Sequence, residues 1–254
     1  DGIRDRDVTG VQTCALPIYE AHLYSAWVRG QPLQAGWQDF EPNVSLIVSG
    51  GHTLLVHVPA AFQHRVLGST LDDAAGECFD KVAKLLGLPY PGGPVLDRLA
   101  EEGRAEAYEF PRSLIHEPND DFSFSGLKTS VRYFLQKHPG LVDGGRALRD
   151  LCASVREAIV EVLVAKTMRA ARGTGVRCVT ASGGVTCNRA LRRALTQACI
   201  QQQMTLRMAE PSLCTDNAAM VGLLAERRWQ AGLCATALDE EASPGWPLES
   251  LSAC

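Results

Sequence analysis

The chain has 254 residues, of which 46% are hydrophobic and 21% charged, so it can bury a sizeable core and is too apolar to be disordered. No apolar run approaches the ~20 residues that a transmembrane helix needs. Its 25 basic and 29 acidic residues give a formal net charge of −4, so the overall charge does not indicate a nucleic-acid-binding protein.

The first 18 residues do not resemble a protein segment. Residues 8–18 read VTGVQTCALPI, and legal codons for this run spell a common short-read sequencing adapter. The segment also lacks helical or strand periodicity. We interpret residues 1 to about 18 as an adapter translation fused to a truncated gene, so no element is predicted for residues 1–18. A continuous genomic read through these codons would refute this interpretation.

The sequence pattern of residues 20–102 predicts helices before and after a hairpin of two strands. Apolar β-branched runs predict strands at 44–49 and 53–58, joined by a turn at Gly50-Gly51. Helical spacing and end signals predict helices at 20–28, at 71–86, where Gly87 follows, and at 95–102, after the turn Pro91-Gly92-Gly93-Pro94.

The remainder alternates helices with short strands. The predicted helices are 124–137, 147–172, 188–198 and 215–230, and the predicted strands are 177–181 and 205–208. Because strands alternate with helices, the pattern predicts an α/β fold.

Two predicted strands end in a serine followed by two glycines, Ser49-Gly50-Gly51 and Ser182-Gly183-Gly184. Glycine pairs let backbone amides approach a ligand closely, and consecutive N–H groups form an anion-binding nest. For either pair alone, a tight turn is the better explanation. Two copies in one chain support a nucleotide or phosphate ligand as well as they support simple turns, and they do not identify the ligand.

Single acidic and imidazole side chains are further candidates. Asp80 can bind ribose hydroxyls or lie on a solvated helix face. Asp97 can be a helix N-terminal carboxylate, and Asp216 can cap its helix or donate an oxygen to a metal ion. His22 can ligate a metal, although a single histidine is more often structural. No His-Glu-x-x-His or Gly-x-Ser-x-Gly motif occurs.

Several segments together resemble one family. They are EAHLYSAW, LIVSGGHT, LGSTLDDAAGECFDKVAKLLGLPYPGGP, FSFSGLKTSVRYFL, ASGGVTCNRALR and CTDNAAMVG. From about residue 19 to near residue 251, the chain is similar to the universal tRNA threonylcarbamoyladenosine transferases, called TsaD in bacteria and Kae in archaea and eukaryotes.

The resemblance implies an actin/Hsp70/sugar-kinase-like (ASKHA) fold, in which two α/β domains close over a nucleotide. We expect residues 19–42 to be a remnant of the N-terminal ASKHA domain, most of which is missing. Residues 43–212 would be the second ASKHA domain with the nucleotide-binding loops. Residues 213–254 would be a C-terminal helix and tail that return to the first domain.

The resemblance also implies a reaction and its site. The threonylcarbamoyl group of threonylcarbamoyl-AMP would pass to N6 of the adenosine 3′ of the anticodon, in tRNAs that read codons beginning with A, and AMP would be released. The positions that match the family's substrate contacts are Ile47, Val48, Ser49, Gly50, Gly51, Asp80, Gly93, Asp97 and Asn188. His22 and Asp216 match two of its three protein metal ligands, for one divalent ion (iron or zinc) per subunit.

The metal motif departs from the family pattern. The family carries His-x-x-x-His on one helix, and the first histidine falls at Ile18. The family's opening strand, with its Glu-Thr-Ser-Cys phosphate loop, is also missing. We attribute both departures to truncation rather than to evolved inactivity. The 254-residue chain is therefore expected to bind metal poorly, to transfer little or nothing and to be poorly soluble.

The expected partners are tRNA, a paralogous ASKHA protein, an ATPase subunit and a separate synthase that makes the adenylate, with no membrane involved. Two other functions stay open, a metal-dependent glycoprotease-type hydrolase and a non-catalytic ASKHA scaffold. The missing His-Glu-x-x-His motif disfavours the first, and the paired glycine turns with Asn188 and Asp216 disfavour the second. Nine irregularly spaced cysteines without a Cys-x-x-Cys pair indicate thiols in a reducing, cytoplasmic compartment rather than a disulfide framework.

Overall fold

The structure is a computed structural model that describes residues 18–142 and 144–233; residues 1–17 of the predicted adapter segment and the tail from 234 lie outside the described residues. Its centre is a five-stranded sheet in the order β5-β4-β3-β6-β7. The strands are β1 (Val28–Arg29) and β2 (Gln34–Ala35), which pair with each other, and β3 (Asn43–Val48), β4 (Thr53–Ala60), β5 (Gln63–Ser69), β6 (Cys178–Ser182) and β7 (Thr205–Met208).

Helices precede, connect and follow these strands, which confirms the α/β prediction. They are α1 (Ile18–Ser25), α2 (Ala75–Leu85), α3 (Gly92–Ala100), α4 (Ser125–Lys137), α5 (Gly145–Thr174), α6 (Arg189–Gln201) and α7 (Ala218–Gln230). Short 3-10 turns lie at Trp37–Asp39, Gly184–Cys187 and Pro211–Leu213. None of the described helices combines the length and apolarity that crossing a membrane requires.

The sheet is mixed, and its pairing positions the site. Strands β3 and β4 are antiparallel with Val48 opposite Thr53, which confirms the predicted hairpin. Strands β3 and β6 are parallel, and Ile47 pairs with Ser182. Since parallel strands end at the same edge, the two Ser-Gly-Gly turns lie side by side.

Both faces of the sheet are covered, so β3 is buried throughout. Val44, Leu46 and Val48 belong to the larger core, formed with helices α2 to α6. Ile47 points the other way, into a smaller core that includes residues of α1 and α7. Side chains alternate across a strand, and a strand buried on both faces therefore reads as a continuous apolar run.

Helices α2 and α3 begin at other residues than predicted, and strand β5 was not predicted, each for a local reason. Residues 71–74 are not helical, because the Asp72 carboxylate accepts hydrogen bonds from the N–H groups of Phe124 and Ser125 at the start of α4. Helix α3 begins earlier than predicted, at Gly92, since Pro94 falls in its first turn, where proline is tolerated. Strand β5 was not predicted, because its sequence, QHRVLGS, lacks a clear apolar alternation.

Candidate functional site

A cavity of about 500 Å³ lies where β3 and β6 end. It brings together residues that are far apart in sequence, including one glycine from each Ser-Gly-Gly turn, Gly50 and Gly184. Five of the nine predicted substrate-contact residues line it: Gly50, Asp80, Gly93, Asp97 and Asn188. The other four, Ile47, Val48, Ser49 and Gly51, belong to the same strand and turn but are not part of its lining.

Two glycines allow neighbouring segments to pack against the end of β3. Gly183 has φ +94°, and a Cβ there would lie 2.3 Å from the carbonyl oxygen of Val48. Gly76, at the start of α2, donates its N–H to the carbonyl of Ser49 at 3.2 Å, and its Cβ would come within 2.4 Å of the same oxygen. Gly76 was not predicted: it lies in the second turn of the helix predicted at 71–86, and only the observed start at Ala75 places it in the first turn.

Packing does not require glycine at positions 50 and 51. A Cβ at either position would meet no atom within 4 Å, and neither has a positive φ. The turn is closed by Ser49 and His52, whose backbones share a hydrogen bond of 2.8 Å. The turn itself requires glycine at neither position, and a ligand in the cavity could approach the backbone of Gly50 closely.

Asp80 is not merely solvated on its helix face. Its Oδ1 accepts the backbone N–H of Gly93 at 2.9 Å, which ties α2 to the first turn of α3. Within the described part of the chain, its Oδ2 accepts no hydrogen bond. That oxygen therefore remains available to a ligand hydroxyl. A Cβ on Gly93 would stay 3.6 Å from its nearest neighbour, Phe79, so the packing leaves room beside it.

Asp97 is bonded through both carboxylate oxygens. It is 9% exposed; its Oδ1 accepts from Arg156 at 2.8 Å, and its Oδ2 accepts the backbone N–H of Arg189 at 3.2 Å. The carboxylate lies within α3 and binds the first N–H of α6, so the idea that it stabilises its own helix N-terminus is wrong. These bonds favour a role in positioning α6.

Asn188 caps α6, its Oδ1 accepting the N–H of Leu191 at 2.9 Å. The cap residue Asn188 and the first residue of α6, Arg189, line the cavity, so the helix directs its positive dipole end there. Helix N-termini bind phosphate and other anions well. Nearby Arg192 and Arg193 already contact protein: Arg192 donates to the carbonyl of Thr186, and Arg193 to the carboxylate of Glu101.

Beside the cavity, His22 and Asp216 meet. Buried His22 donates from Nε2 to Oδ1 of Asp216 at 2.9 Å, although the aspartate side chain is 72% exposed. Helix α7 is capped by Asn217, which accepts the N–H of Met220. The alternative that Asp216 caps this helix is therefore wrong. The preceding residue, Thr215, lines the cavity.

A second pair adjoins the first. The Tyr19 hydroxyl and His52 Nε2 share a hydrogen bond of 2.5 Å. Burial lowers the pKa of His52, and the Asp216 carboxylate opposes this shift. Burial also raises the pKa of Tyr19, and Asp216 adds to that rise. The Asp216 carboxylate therefore acts in the same direction on both groups and favours the protonated form of each.

The residues present do not complete a three-ligand metal site. Ile18 lies one helical turn before His22, packs against the smaller core and offers no donor atom. Across residues 18–142 and 144–233, no group of three or more His, Cys, Asp or Glu side chains could hold a metal ion. An imidazole and a carboxylate in contact are suitable donors for zinc, but catalytic zinc sites are typically held by three protein ligands. His22 and Asp216 alone therefore form an incomplete site.

Comparison with known proteins gives consistent matches. The family model described as "TsaD: tRNA N6-adenosine threonylcarbamoyltransferase" matches residues 8–223. The protein of that name from Syntrophotalea carbinolica is 50% identical over 208 residues, which cover 82% of this chain and 60% of the relative. The one from Geotalea uraniireducens is 51% identical over 211 residues, covering 83% and 61%. This chain thus spans about 60% of the length of these curated relatives.

A third relative, from Paracidovorax citrulli, is 45% identical over 250 residues, 98% of this chain and 68% of its own length. This alignment and the family match both extend into residues 1–18, whose origin as an adapter remains a prediction. Among solved structures, full-length HypF in its phosphate- and nucleotide-bound form superposes with a TM-score of 0.61 at 14% identity, covering 86% of this chain and 36% of HypF. That likeness concerns the fold alone.

Proposed function

Because this chain belongs to the tRNA N6-adenosine threonylcarbamoyltransferase family, we propose that the complete protein transfers the threonylcarbamoyl group of threonylcarbamoyl-AMP to N6 of the adenosine 3′ of the anticodon. The tRNAs would be those that read codons beginning with A. The observation that carries this proposal is the single cavity in which both glycine turns, Asp80 and the start of α6 converge.

In the proposed reaction, the N6 amine attacks the carbonyl carbon of the threonylcarbamoyl group. A C–N bond forms, the bond from that carbon to the phosphate oxygen breaks, the amine loses a proton, and AMP leaves. An acyl adenylate is already activated, so the protein mainly needs to position it. We assign no residue as the general base.

The cavity offers a partner for each part of an adenylate. Backbone N–H groups at Gly50 and at the start of α6 would bind the phosphate, and the same amides would stabilise negative charge that develops on the reacting carbonyl. Asp80 would accept hydrogen bonds from the ribose hydroxyls. Asp97 would hold α6 in place through Arg189, and Asn188 would donate from its free amide nitrogen.

The metal and the partners belong to the complete protein. We propose that His22 and Asp216 supply two protein ligands to one divalent ion, iron or zinc, and that this chain lacks the third. It would then transfer little or nothing by itself. tRNA, a paralogous ASKHA protein and an ATPase subunit are the proposed partners, in the cytoplasm.

Isothermal titration of AMP into the chain tests the cavity. Asp80→Asn keeps an oxygen that can accept the Gly93 N–H, so the protein should fold while losing the charged acceptor for ribose. Such hydrogen bonds contribute roughly 1.5–3 kcal/mol, so we expect affinity to fall about tenfold or more. Asp39→Asn, outside the cavity lining, is the matched control. Equal AMP affinity in both variants would contradict the proposed site.

The reaction itself is tested with the chain and with a full-length protein whose N-terminus is restored. Each is incubated with threonylcarbamoyl-AMP, tRNA and the partner proteins, and modified adenosine is measured after nuclease digestion. The full-length protein should produce it and the chain should not. Failure of both would refute the transfer activity, whereas full activity of the chain would refute its proposed inactivity.

A further inference from the structure

One buried arginine lies behind the wall of the cavity. Arg156, on α5, is 7% exposed and is not part of the cavity lining. Its Nη1 donates to Oδ1 of Asp97 at 2.8 Å and to the carbonyl oxygen of the same residue at 3.1 Å. Nη1 also donates to Oε1 of Glu101 at 2.5 Å, and Nη2 donates to the carbonyl oxygen of Ala100 at 3.2 Å. Arg156 thus binds the second half of α3 and the residue that follows it.

Arg156 is connected to the cavity through Asp97. Asp97 lines the cavity, and its second carboxylate oxygen accepts the N–H of Arg189, the first residue of α6. A continuous series of hydrogen bonds therefore runs from α5 through α3 to the start of α6. In such a buried network the position of each group depends on its neighbours. Without Arg156, the Asp97 carboxylate would lose the donor that fixes its orientation toward α6.

The same contact offsets a negative charge at the cavity. Asp80 and Asp97 both line it, whereas the proposed ligand carries an anionic phosphate. A carboxylate close to a phosphate repels it, because like charges repel most strongly at short range. The Arg156 guanidinium, 2.8 Å from the Asp97 carboxylate, offsets one of these two charges. Glu101 has a second cation, Arg193, so its charge is not left for Arg156 alone to balance.

We propose that Arg156 is a positioning residue for the phosphate of the adenylate. It does not touch the ligand. It orients and neutralises Asp97, so that the start of α6 presents its N–H groups to the phosphate. This inference rests on the adenylate site proposed above. It predicts a result that a purely structural role would not give, because loss of Arg156 should weaken ligands that carry a phosphate and spare ligands that lack one.

Titration calorimetry with AMP and with adenosine tests this role. In Arg156→Met, AMP affinity should fall about tenfold or more, the size expected when a hydrogen bond to a charged group is lost, whereas adenosine affinity should change little. Arg156→Lys keeps the positive charge but lacks the planar group that reaches several acceptors at once, so it should recover part of the AMP affinity. Arg169→Met is the matched control. Arg169 lies on the same helix and donates to Asp120, but it is outside the cavity lining, so both affinities should stay at the wild-type values.

The possible outcomes separate this inference from the proposed site. Equal losses of AMP and adenosine affinity in Arg156→Met would overturn the inference, because they would show a general disturbance of the cavity. Unchanged AMP affinity would overturn it as well, while the proposed adenylate site would stand. A wild-type chain that binds neither ligand would refute that site and the inference with it. If Arg156→Met fails to fold, Arg156→Lys decides: a lower ratio of AMP to adenosine affinity than in the wild type supports the role, and an equal ratio overturns it.

Discussion

Replacing Gly183 with alanine tests whether the meeting of the two turns depends on that glycine. With φ +94° and ψ 157°, an alanine would occupy a backbone region that is essentially restricted to glycine, at a cost of roughly 1–3 kcal/mol. Its Cβ would also lie 2.3 Å from the Val48 carbonyl oxygen, 2.7 Å from the carbonyl carbon and 3.0 Å from the amide nitrogen. These are backbone atoms of a central strand, so relief requires a shift of β3 or β6, at a further cost of about 1–3 kcal/mol.

The expected loss for Gly183→Ala is therefore about 2–6 kcal/mol in the free energy of unfolding, a large part of the 5–15 kcal/mol typical of a domain. Urea unfolding followed by far-ultraviolet circular dichroism measures it. Gly184→Ala is the matched control, because its Cβ would meet only a methyl of Thr215 at 3.9 Å and its φ is not positive. That variant should change stability by less than about 1 kcal/mol. Equal stability of the two variants would refute the close approach of Gly183 to Val48.

Three further predictions concern the ligand, the metal and pH. Gly50→Ala should keep wild-type stability, since its Cβ meets no atom within 4 Å. It should weaken AMP binding about tenfold, because one close contact between a backbone amide and the ligand is lost. Titration calorimetry measures the AMP affinity, with Gly173→Ala as the control. Ile18→His would place two histidines at positions i and i+4 of α1, and it should raise Zn²⁺ affinity at least ~10-fold, the size of the effect when a metal site loses one supporting residue. An unchanged Zn²⁺ dissociation constant would argue against the two-ligand site. Arg193 and Arg156 lower the pKa of Glu101 to about 2 in the folded protein. The ionised Glu101 therefore stabilises the fold above its unfolded pKa of about 4.3, and this stabilisation is lost as the pH falls toward 2. In Glu101→Gln, the urea midpoint should fall less steeply with pH over that range than it does in the wild type.

Much of the fold follows from local patterns. The apolar run of β3, the glycine turn and the long helix α5 are strong short-range signals, and each was predicted within a few residues. Strand β5 was missed because an edge strand that carries histidine and arginine does not alternate clearly. The start of α2 was misplaced because Asp72, which suits a helix N-terminus, instead binds the N–H groups that begin α4.

The aspartates show why local patterns do not assign side-chain roles. Asp216 and Asn217 are adjacent and both suit a helix cap, and only the structure shows that Asn217 caps α7 while Asp216 faces His22. Asp97 is comparable, because its partners, Arg156 and Arg189, are 59 and 92 residues away in sequence. Such distant contacts leave no periodicity or spacing that a single sequence reveals.

The cavity as a whole also depends on long-range pairing. Each Ser-Gly-Gly turn is visible in the sequence, but their proximity depends on the parallel register that places Ile47 opposite Ser182. A one-residue slip of β6 would reverse which side chains face each core, and a two-residue slip would carry Gly183 about 7 Å along the strand, away from Val48. In the observed register a residue without a Cβ meets the backbone of Val48, whereas a slip that brought Ser182 there would drive a side chain into that backbone. The contact that brings the two turns together thus also selects the register, which is why one methyl group at position 183 should disturb both the sheet and the cavity.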